Sequence, residues 1–459
     1  MFNKNTYITR RKILKQKVGS GIILLSGNGQ SSMNYKDNWY AFRQDSSFLY
    51  FSGLDIPDLM LIIDIDNDVD ILFGNDATID DIVWQGVLPT VSELASNAGI
   101  SQSKSLNALS GYLKNKKNQP VHFLPPYRPE HYDQLSDLLQ LSPREVDAGV
   151  SVSLIKAIVS LRSIKSEAEI SEIEKAVNTS NQMQLAAMSF ARAGQTEAEI
   201  AGQLQSIAIA GGGNLSFPII LTTRGETLHI HYTNNIIERG KMVLCDCGAE
   251  TAMHYPGDLT RTFPVDKSFT QIQRDVYEIV LNAQQSAAEA LEPGELFLNV
   301  HLLACEKLVD GLKELGLMKG DSKEAVANNA HTLFFQCGLG HMMGLDIHDM
   351  ENLGEQYVGY SDTLKKSKEF GLKSLRLGRS LEPGFVLTVE PGLYFIPALM
   401  DLWKSDKRNA SFINYDKLDH FRDFGGIRIE EDFVITVNGA RLLGDPIAKT
   451  VKDVEALRM

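Results

Sequence analysis

Two apolar, β-prone runs in residues 244–265, LCDCGAETAMHYPGDLTRTFPV, each carry an acid at their edge, Asp246 and Asp258. Side chains on a strand alternate between faces, so an even separation lets both acids point to one face if the connecting turn keeps the count. Two buried carboxylates facing each other repel. A shared proton or a shared metal ion relieves that repulsion. The pair alone is equally compatible with acids that cap strand ends, and the rest of the chain has to decide.

With 459 residues, 43% hydrophobic and 22% charged, the chain has the composition of a globular protein of two or three domains. A net charge of −13, with no basic run to offset it, argues against a nucleic-acid partner. Four cysteines, Cys245, Cys247, Cys305 and Cys337, are too few for a disulfide scaffold in a chain this long. Cys245 and Cys247 flank Asp246 and so face away from it. No C-x-x-C pair is present, and a zinc–thiolate site is not expected. The N-terminal MFNKNTYITRRKILKQKVG lacks the apolar segment of a signal peptide. Runs such as GIILL and LMLII are too short to span a bilayer. The expectation is a cytoplasmic enzyme without a membrane partner.

Residues 1–145 alternate helical and strand signals. A basic helix is expected from Thr6 to Val18, and strands at GIILLSG, FLYFSGL, LMLIIDID, VDILFG and VHFLPPY. This is an α/β domain whose strands are too apolar to be exposed on both faces. The pattern weakens over residues 142–152, and a helix follows over about 153–160. Ser166 and Glu169 form a capping box opening a long helix that Gly194 ends, and Thr196 with Glu199 repeat the device. A domain boundary is placed near residue 160, giving domains 1–160 and 161–459. Beyond it, helices at about 167–193, 197–210, 270–291 and 298–315 mix with strands at about 241–247, 258–265, 385–390 and 425–437. Without strict alternation this is α+β.

Three further islands carry metal-type ligands. CGLGHMMGLDIHDM holds His341 and His348 in a glycine-rich stretch, where backbone can approach a site closely. LTVEPGLYF puts Glu390 at the end of an apolar strand. FGGIRIEEDFVIT puts Arg428, Glu430 and Asp432 on one face of an alternating strand.

In the order Asp246, Asp258, His341, Glu390, Glu430, these residues resemble the five-ligand dinuclear site of the pita-bread metallopeptidases, the family of methionine aminopeptidase, aminopeptidase P and prolidase. GDLTRTFPV, GLGHMMGLDIHD, TVEPGLYF and GIRIEED each carry a family motif around its ligand. FRQDSSFLYFSGL looks like the creatinase-type N-terminal domain of aminopeptidase P and prolidase, with Ser47 where the family commonly has an acid. The resemblance implies a pita-bread catalytic domain behind a smaller α/β N-terminal domain.

It also implies two divalent cations. Four carboxylates and two such ions balance in charge, and oxygen-rich coordination with one imidazole suits Mn²⁺, with Co²⁺ or Zn²⁺ as substitutes. Two ions about 3.5–4 Å apart can share a water and make hydroxide available as nucleophile at neutral pH. By resemblance Glu390 is both ligand and general base. The family places a histidine 17 residues before the first aspartate, which His229 fits, with His231 as runner-up. That histidine and His348 would hydrogen bond the substrate carbonyl as it becomes an oxyanion. Arg428 would orient the carboxylates and contact substrate.

The implied reaction is hydrolysis of the bond between an N-terminal residue and proline. Such a bond has no N–H, so a site that holds the free amino terminus and the carbonyl suits it. In prolidase the arginine matching Arg376 binds the dipeptide carboxylate, which favours an Xaa-Pro dipeptidase over an aminopeptidase P acting on longer peptides. Relatives with this N-terminal domain are commonly dimers or tetramers, and TIDDIVWQGVLP offers Trp84 in a loop for a subunit boundary.

Overall fold

The computed structural model describes residues 1–458. The chain divides into two units, residues 1–162 with 352–357, and residues 163–351 with 358–459.

In the first unit the order is α1 (Lys4–Val18), β1 (Ile22–Ser26), α2 (Ser46–Ser52), β2 (Met60–Asp64), β3 (Val69–Phe73), α3 (Ile79–Gln85), α4 (Val91–Asn97), β4 (Gln102–Lys104), α5 (Asn107–Lys114), β5 (Val121–His122), α6 (Pro129–Leu139), α7 (Pro143–Gly149) and α8 (Val152–Arg162). Among the described residues the strands form one mixed sheet in the order β4-β3-β2-β1-β5. Its centre pairs antiparallel and its edges parallel. The apolar strand runs are buried as their composition requires, with Ile22, Ile62, Ile71 and Phe73 packed against Leu109 and Leu135.

Four local expectations are corrected here. FLYFSGL is not a strand but the end of α2. Asp45 caps that helix by accepting from the Phe48 amide, and Gly53 closes it in the left-handed region at φ 68°. These caps satisfy the helix ends and outweigh the β preference of the aromatic run. VHFLPPY supplies only two strand residues, because the two prolines cannot donate to a ladder. Residues 142–152 contain α7, opened by a Ser142–Glu145 capping box. Trp84 sits on α3, a helix with a Thr78–Asp81 capping box, and not in a loop. Ser47 is buried and accepts a hydrogen bond from Arg162 (3.1 Å), so it faces the interior of its own unit.

The second unit begins with α9 (Glu167–Phe190) and α10 (Glu197–Ala210), both opened by the expected capping boxes. The first of these stops at Phe190, short of the expected end, because Ala191 turns extended. Then come β6 (Asn214–Leu215), β7 (Ile220–Thr222), β8 (Met242–Cys247), β9 (Ala249–Glu250), β10 (Leu259–Pro264), α11 (Gln271–Glu289), α12 (Phe297–Glu314), α13 (Ser322–Ala327), α14 (Glu355–Val358, whose first three residues are counted with the first unit), β11 (Val386–Val389), β12 (Gly392–Tyr394), α15 (Pro397–Ser405), α16 (Tyr415–Leu418), β13 (Gly426–Arg428), β14 (Glu431–Thr436), β15 (Gly439–Leu442) and α17 (Val451–Leu457). Helices and antiparallel pairs follow one another without strict alternation, an α+β arrangement. The strand expected over 425–437 is broken at residues 429 and 430. Even so, Arg428, Glu430 and Asp432 turn to one side, while Glu431 turns to the other and meets Arg261 and Lys449.

β8 and β10 pair antiparallel with Asp246 opposite Thr260, and both are buried along their whole length. α9 lies against them, and Gln184 donates to the carbonyls of Cys245 and Leu259. Among the described residues no helix is long and apolar enough to cross a membrane.

Candidate metal centre

The antiparallel register puts Asp246 and Asp258 on the same face of the β8–β10 ladder. The 428–430 segment is laid across that face by β10 itself. Thr260 accepts the Glu430 amide at its carbonyl (3.1 Å) and donates its hydroxyl to Glu430 Oε2 (2.6 Å). Arg261, fully buried, donates to the Glu430 carbonyl (2.8 Å) and to Glu431 Oε1 (2.9 Å). Thr262 bonds both the amide and the carbonyl of Arg428.

His341 arrives by a different route. Residues 339–343 run as an irregular strand beside β11. Glu390 donates its amide to the Leu339 carbonyl (2.8 Å), Thr388 donates its amide to the His341 carbonyl (3.0 Å), and His341 donates its amide to Thr388 Oγ1 (3.1 Å). The approach is so close that a Cβ on Gly340 would lie 2.0 Å from the Thr388 carbonyl oxygen. Only glycine fits there. His341 Nδ1 lies 3.1 Å from the Met342 carbonyl, so it carries the proton and leaves the Nε2 lone pair turned to Asp258 and Glu390.

Asp258, His341 and Glu430 each bring one donor atom to within 4.8 Å of the other two. His341 Nε2 is 3.4 Å from Asp258 Oδ2 and 3.6 Å from Glu390 Oε1. Asp246 is held by Arg428, whose Nη2 is 2.5 Å from Oδ2, and its other oxygen is buried without a hydrogen-bond partner among the described residues. Arg428 also donates to Thr260 Oγ1 and Tyr394 Oη, both at 3.0 Å.

This concentration of acids shows in their protonation. Burial, and then the charge of Asp246, pushes Asp258 up to about 8. Glu430 is driven well above its ordinary range by burial and by Asp258 and Glu390. Burial raises Glu390 too. Asp432, which accepts the Asp258 amide (2.9 Å), is likewise driven up by burial and by Asp258. One guanidinium cannot neutralise so many buried carboxylates, and Asp246 keeps one buried oxygen without a hydrogen-bond partner among the described residues. The donor set fits divalent cations.

The remaining candidates surround this cluster. The His348 ring is 4.2 Å from that of His341, and its Nδ1 is 2.5 Å from Glu351 Oε2. Glu351 also accepts from Arg376 Nε at 3.2 and 3.3 Å. Burial alone would raise Glu351, but His348 and Arg376 hold it at about 2, a fixed anion between two donors. His229 is kept below its usual pKa by burial and by Arg428, and it feels Asp246, Arg376 and His348 as well. His231 instead points Nδ1 at the Ile219 carbonyl (3.4 Å).

Sequence reasoning missed Thr260, Arg261, Thr388, Tyr394 and Glu351. Thr260 and Thr262 could have been suspected from TRT, hydroxyls on the acid-bearing face of a buried strand. Glu351 stands three residues after His348, but nothing marked it. Cys337, counted in the sequence only as one of four thiols, lies beside Tyr394 and Glu390, and burial followed by Glu390 pushes its thiol up to about 12.

Residues 171–437 match the model of metallopeptidase family M24, and residues 7–122 match the aminopeptidase P N-terminal domain. The chain belongs to metallopeptidase family M24. It is an enzyme of that family, with a pita-bread catalytic domain behind a separate N-terminal domain. The chain is similar to a probable Xaa-Pro aminopeptidase of Sordaria macrospora, 32% identical over 92% of this chain and 88% of the relative. It is similar also to the Xaa-Pro dipeptidase of Homo sapiens, 29% identical over 95% of this chain and 88% of that one. Zinc-substituted E. coli aminopeptidase P in complex with product superposes with a TM-score of 0.82 at 27% identity, covering 100% of this chain and 98% of that one.

For this M24 peptidase the close backbone contact yields a test. Gly340→Ala should force residues 339–343 off β11, costing about 1–3 kcal/mol of stability and most of the retained divalent metal. Unfolding midpoints and elemental analysis check this; an unchanged metal content would show that the contact does not position His341.

Proposed function

We propose that the enzyme hydrolyses the bond between an N-terminal residue and proline, and that dipeptides are its main substrates. The observation that carries the reading is the convergence of Asp258, His341 and Glu430 donor atoms, with Glu390 beside them, in a chain of family M24. Asp246, Asp258, His341, Glu390 and Glu430 would hold two divalent ions, with the oxygen-rich set favouring Mn²⁺ over Co²⁺ or Zn²⁺. Such ions supply Lewis-acid polarisation of the substrate carbonyl and acidify water.

The protein groups do the rest. Glu390, with its raised proton affinity, accepts the proton of the attacking water and returns it to the prolyl nitrogen as the C–N bond breaks. His229, held neutral by burial, donates to the carbonyl oxygen as negative charge develops, while His348, neutral and with its one proton committed to Glu351, helps to place the residue after the cut. His229 is favoured over His231 because its ring is coupled to Arg428, Asp246 and His348. Arg428 fixes Asp246 and is placed to contact substrate. Chelation should abolish activity and Mn²⁺ should restore it. Asp258→Asn should stay folded but lose activity by more than about 100-fold. Full activity of a metal-free preparation, verified by elemental analysis, would refute the proposal.

Arg376 supports the dipeptidase choice. Glu351 engages only its Nε, so the terminal nitrogens of the fork are left to meet a substrate carboxylate. The names of relatives and the aminopeptidase P N-terminal domain favour a second reading, an aminopeptidase P acting on longer peptides. Arg376→Ala separates them. Losing a charge-assisted pair should cost about 2–4 kcal/mol, roughly 30- to 1000-fold in kcat/KM for Xaa-Pro, while Xaa-Pro-amide hydrolysis hardly changes. An equal fall for both substrates would mean the arginine is structural, and a wild-type preference for tripeptides would select the second reading.

The enzyme is further proposed to be a cytoplasmic homo-oligomer. Four free thiols, including Cys245 and Cys247 with Sγ atoms 3.8 Å apart, fit a reducing compartment. Ile79, Val83, Trp84 and Val87 are all exposed, Trp84 at 85%, an apolar patch suited to a second copy of the chain. Light scattering at micromolar concentration should report a dimer or tetramer that Trp84→Asp weakens; a monomer would reject this.

A further inference from the structure

A second group of soft ligands lies in the core of the catalytic unit, apart from the carboxylates. His301 and Cys305 are one helical turn apart on α12, and His331 sits on the 3₁₀ turn Ala330–Leu333. One donor atom from each lies within 4.8 Å of the other two. All three residues are at least 96% removed from solvent. Cys305 Sγ is 3.5 Å from His301 Nε2. Both His301 Nδ1 and His331 Nδ1 are buried without a hydrogen-bond partner among the described residues. A core that merely needed filling would not gather two imidazoles with unpaired nitrogens, since each buried polar group left without a partner destabilises the fold.

Charge and geometry narrow the ligand. Burial keeps both imidazoles neutral, holding His301 at about 3 and His331 at about 4, so their lone pairs are available. The ligand set is two neutral nitrogens and one thiolate, a total charge of −1, with no carboxylate among the three. A divalent ion would leave a net positive charge in an apolar core, whereas a monovalent one leaves none. Thiolate and imidazole together select soft cations. Nitrogen at about 2.0–2.1 Å and sulfur at about 2.3 Å from a trigonal centre would stand about 3.7–3.8 Å apart, so the 3.5 Å hydrogen-bond contact between His301 and Cys305 has to open by only a few tenths of an ångström.

We propose that His301, Cys305 and His331 bind one Cu⁺ ion in a trigonal site. The S–H bond of Cys305 breaks, its proton passes to solvent, and the sulfur electron pair forms the bond to the ion, with no change of oxidation state. The ion would tie α12 to the turn that leads, ten residues later, to His341. The absence of a C-x-x-C pair did not reveal this site, because its thiolate is single and its third ligand comes from another segment.

The test uses full-length protein with Cys245→Ser, Cys247→Ser and Cys337→Ser, which leaves Cys305 as the sole thiol. It is produced in copper-supplemented cells and purified under reducing conditions without oxygen. Elemental analysis should find about one copper per chain, and X-ray absorption should find one sulfur and two nitrogen neighbours. Adding Cys305→Ser should lower the copper content at least about ten-fold, and so should His331→Phe. Asp258→Asn, which disables the carboxylate site, should leave the copper in place. If the triple serine background does not fold, wild type against Cys305→Ser should show the same loss of about one copper. Copper content unaffected by Cys305→Ser, oxygen ligands in the absorption spectrum, or zinc in place of copper would each overturn the proposal.

Discussion

The mutual repulsion of Asp246, Asp258, Glu390 and Glu430 is the constraint on which the catalytic unit depends. Buried acids at this density cannot all ionise unless positive charge is brought to them. The chain itself supplies only part of it. Arg428 is committed to Asp246, and His341 offers a lone pair rather than a proton. Asp258 is pushed up to about 8 and Glu430 well above its ordinary range, a stored demand for cations. The same demand explains why the site must be rigid. Without covalent closure, only the surrounding hydrogen bonds keep the carboxylates from relaxing apart.

Those bonds come from three segments distant in sequence. β10 holds the 428–430 segment through Thr260, Arg261 and Thr262, so the residues that carry the second acid also place the last one. β11 holds residues 339–343 through backbone bonds that only a glycine at 340 permits. Lys165 and Asp349, both buried, are joined at 3.0 Å beside the turn that carries His348. Around the metal-type ligands, Arg376, Glu351 and His348 form a chain of charge-assisted hydrogen bonds that fixes the imidazole while leaving part of the arginine fork available.

Much of this was legible in the sequence for physical reasons. The acids stand out because they interrupt apolar strand runs, where an unpaired charge is costly, and the glycines around His341 signal close backbone approach. The capping boxes at Ser166 and Thr196 mark helix starts chemically, and the structure has them. What failed was decided by groups outside the local pattern. The run FLYFSG reads as a strand by side-chain preference, yet Asp45 and Gly53 cap it as a helix. The pairing of Arg428 with Asp246 was not legible, because two nearer acids, Glu430 and Asp432, compete in sequence and only the crossing of β10 by the 428–430 segment settles the partner. Arg261 looked like any strand arginine, though it is buried and bonds to three carbonyls and a carboxylate.

The proposal that the carboxylate cluster takes up two divalent ions, with protons held on its acids when they are absent, can be tested directly. Calorimetric titration of metal-free enzyme with Mn²⁺ at pH 7, repeated in buffers of different ionisation enthalpy, measures both quantities at once. The account predicts about two ions bound per chain with net release of protons, because acids with raised pKa values must ionise to become ligands. A stoichiometry of one or none, or binding that releases no protons, would contradict it.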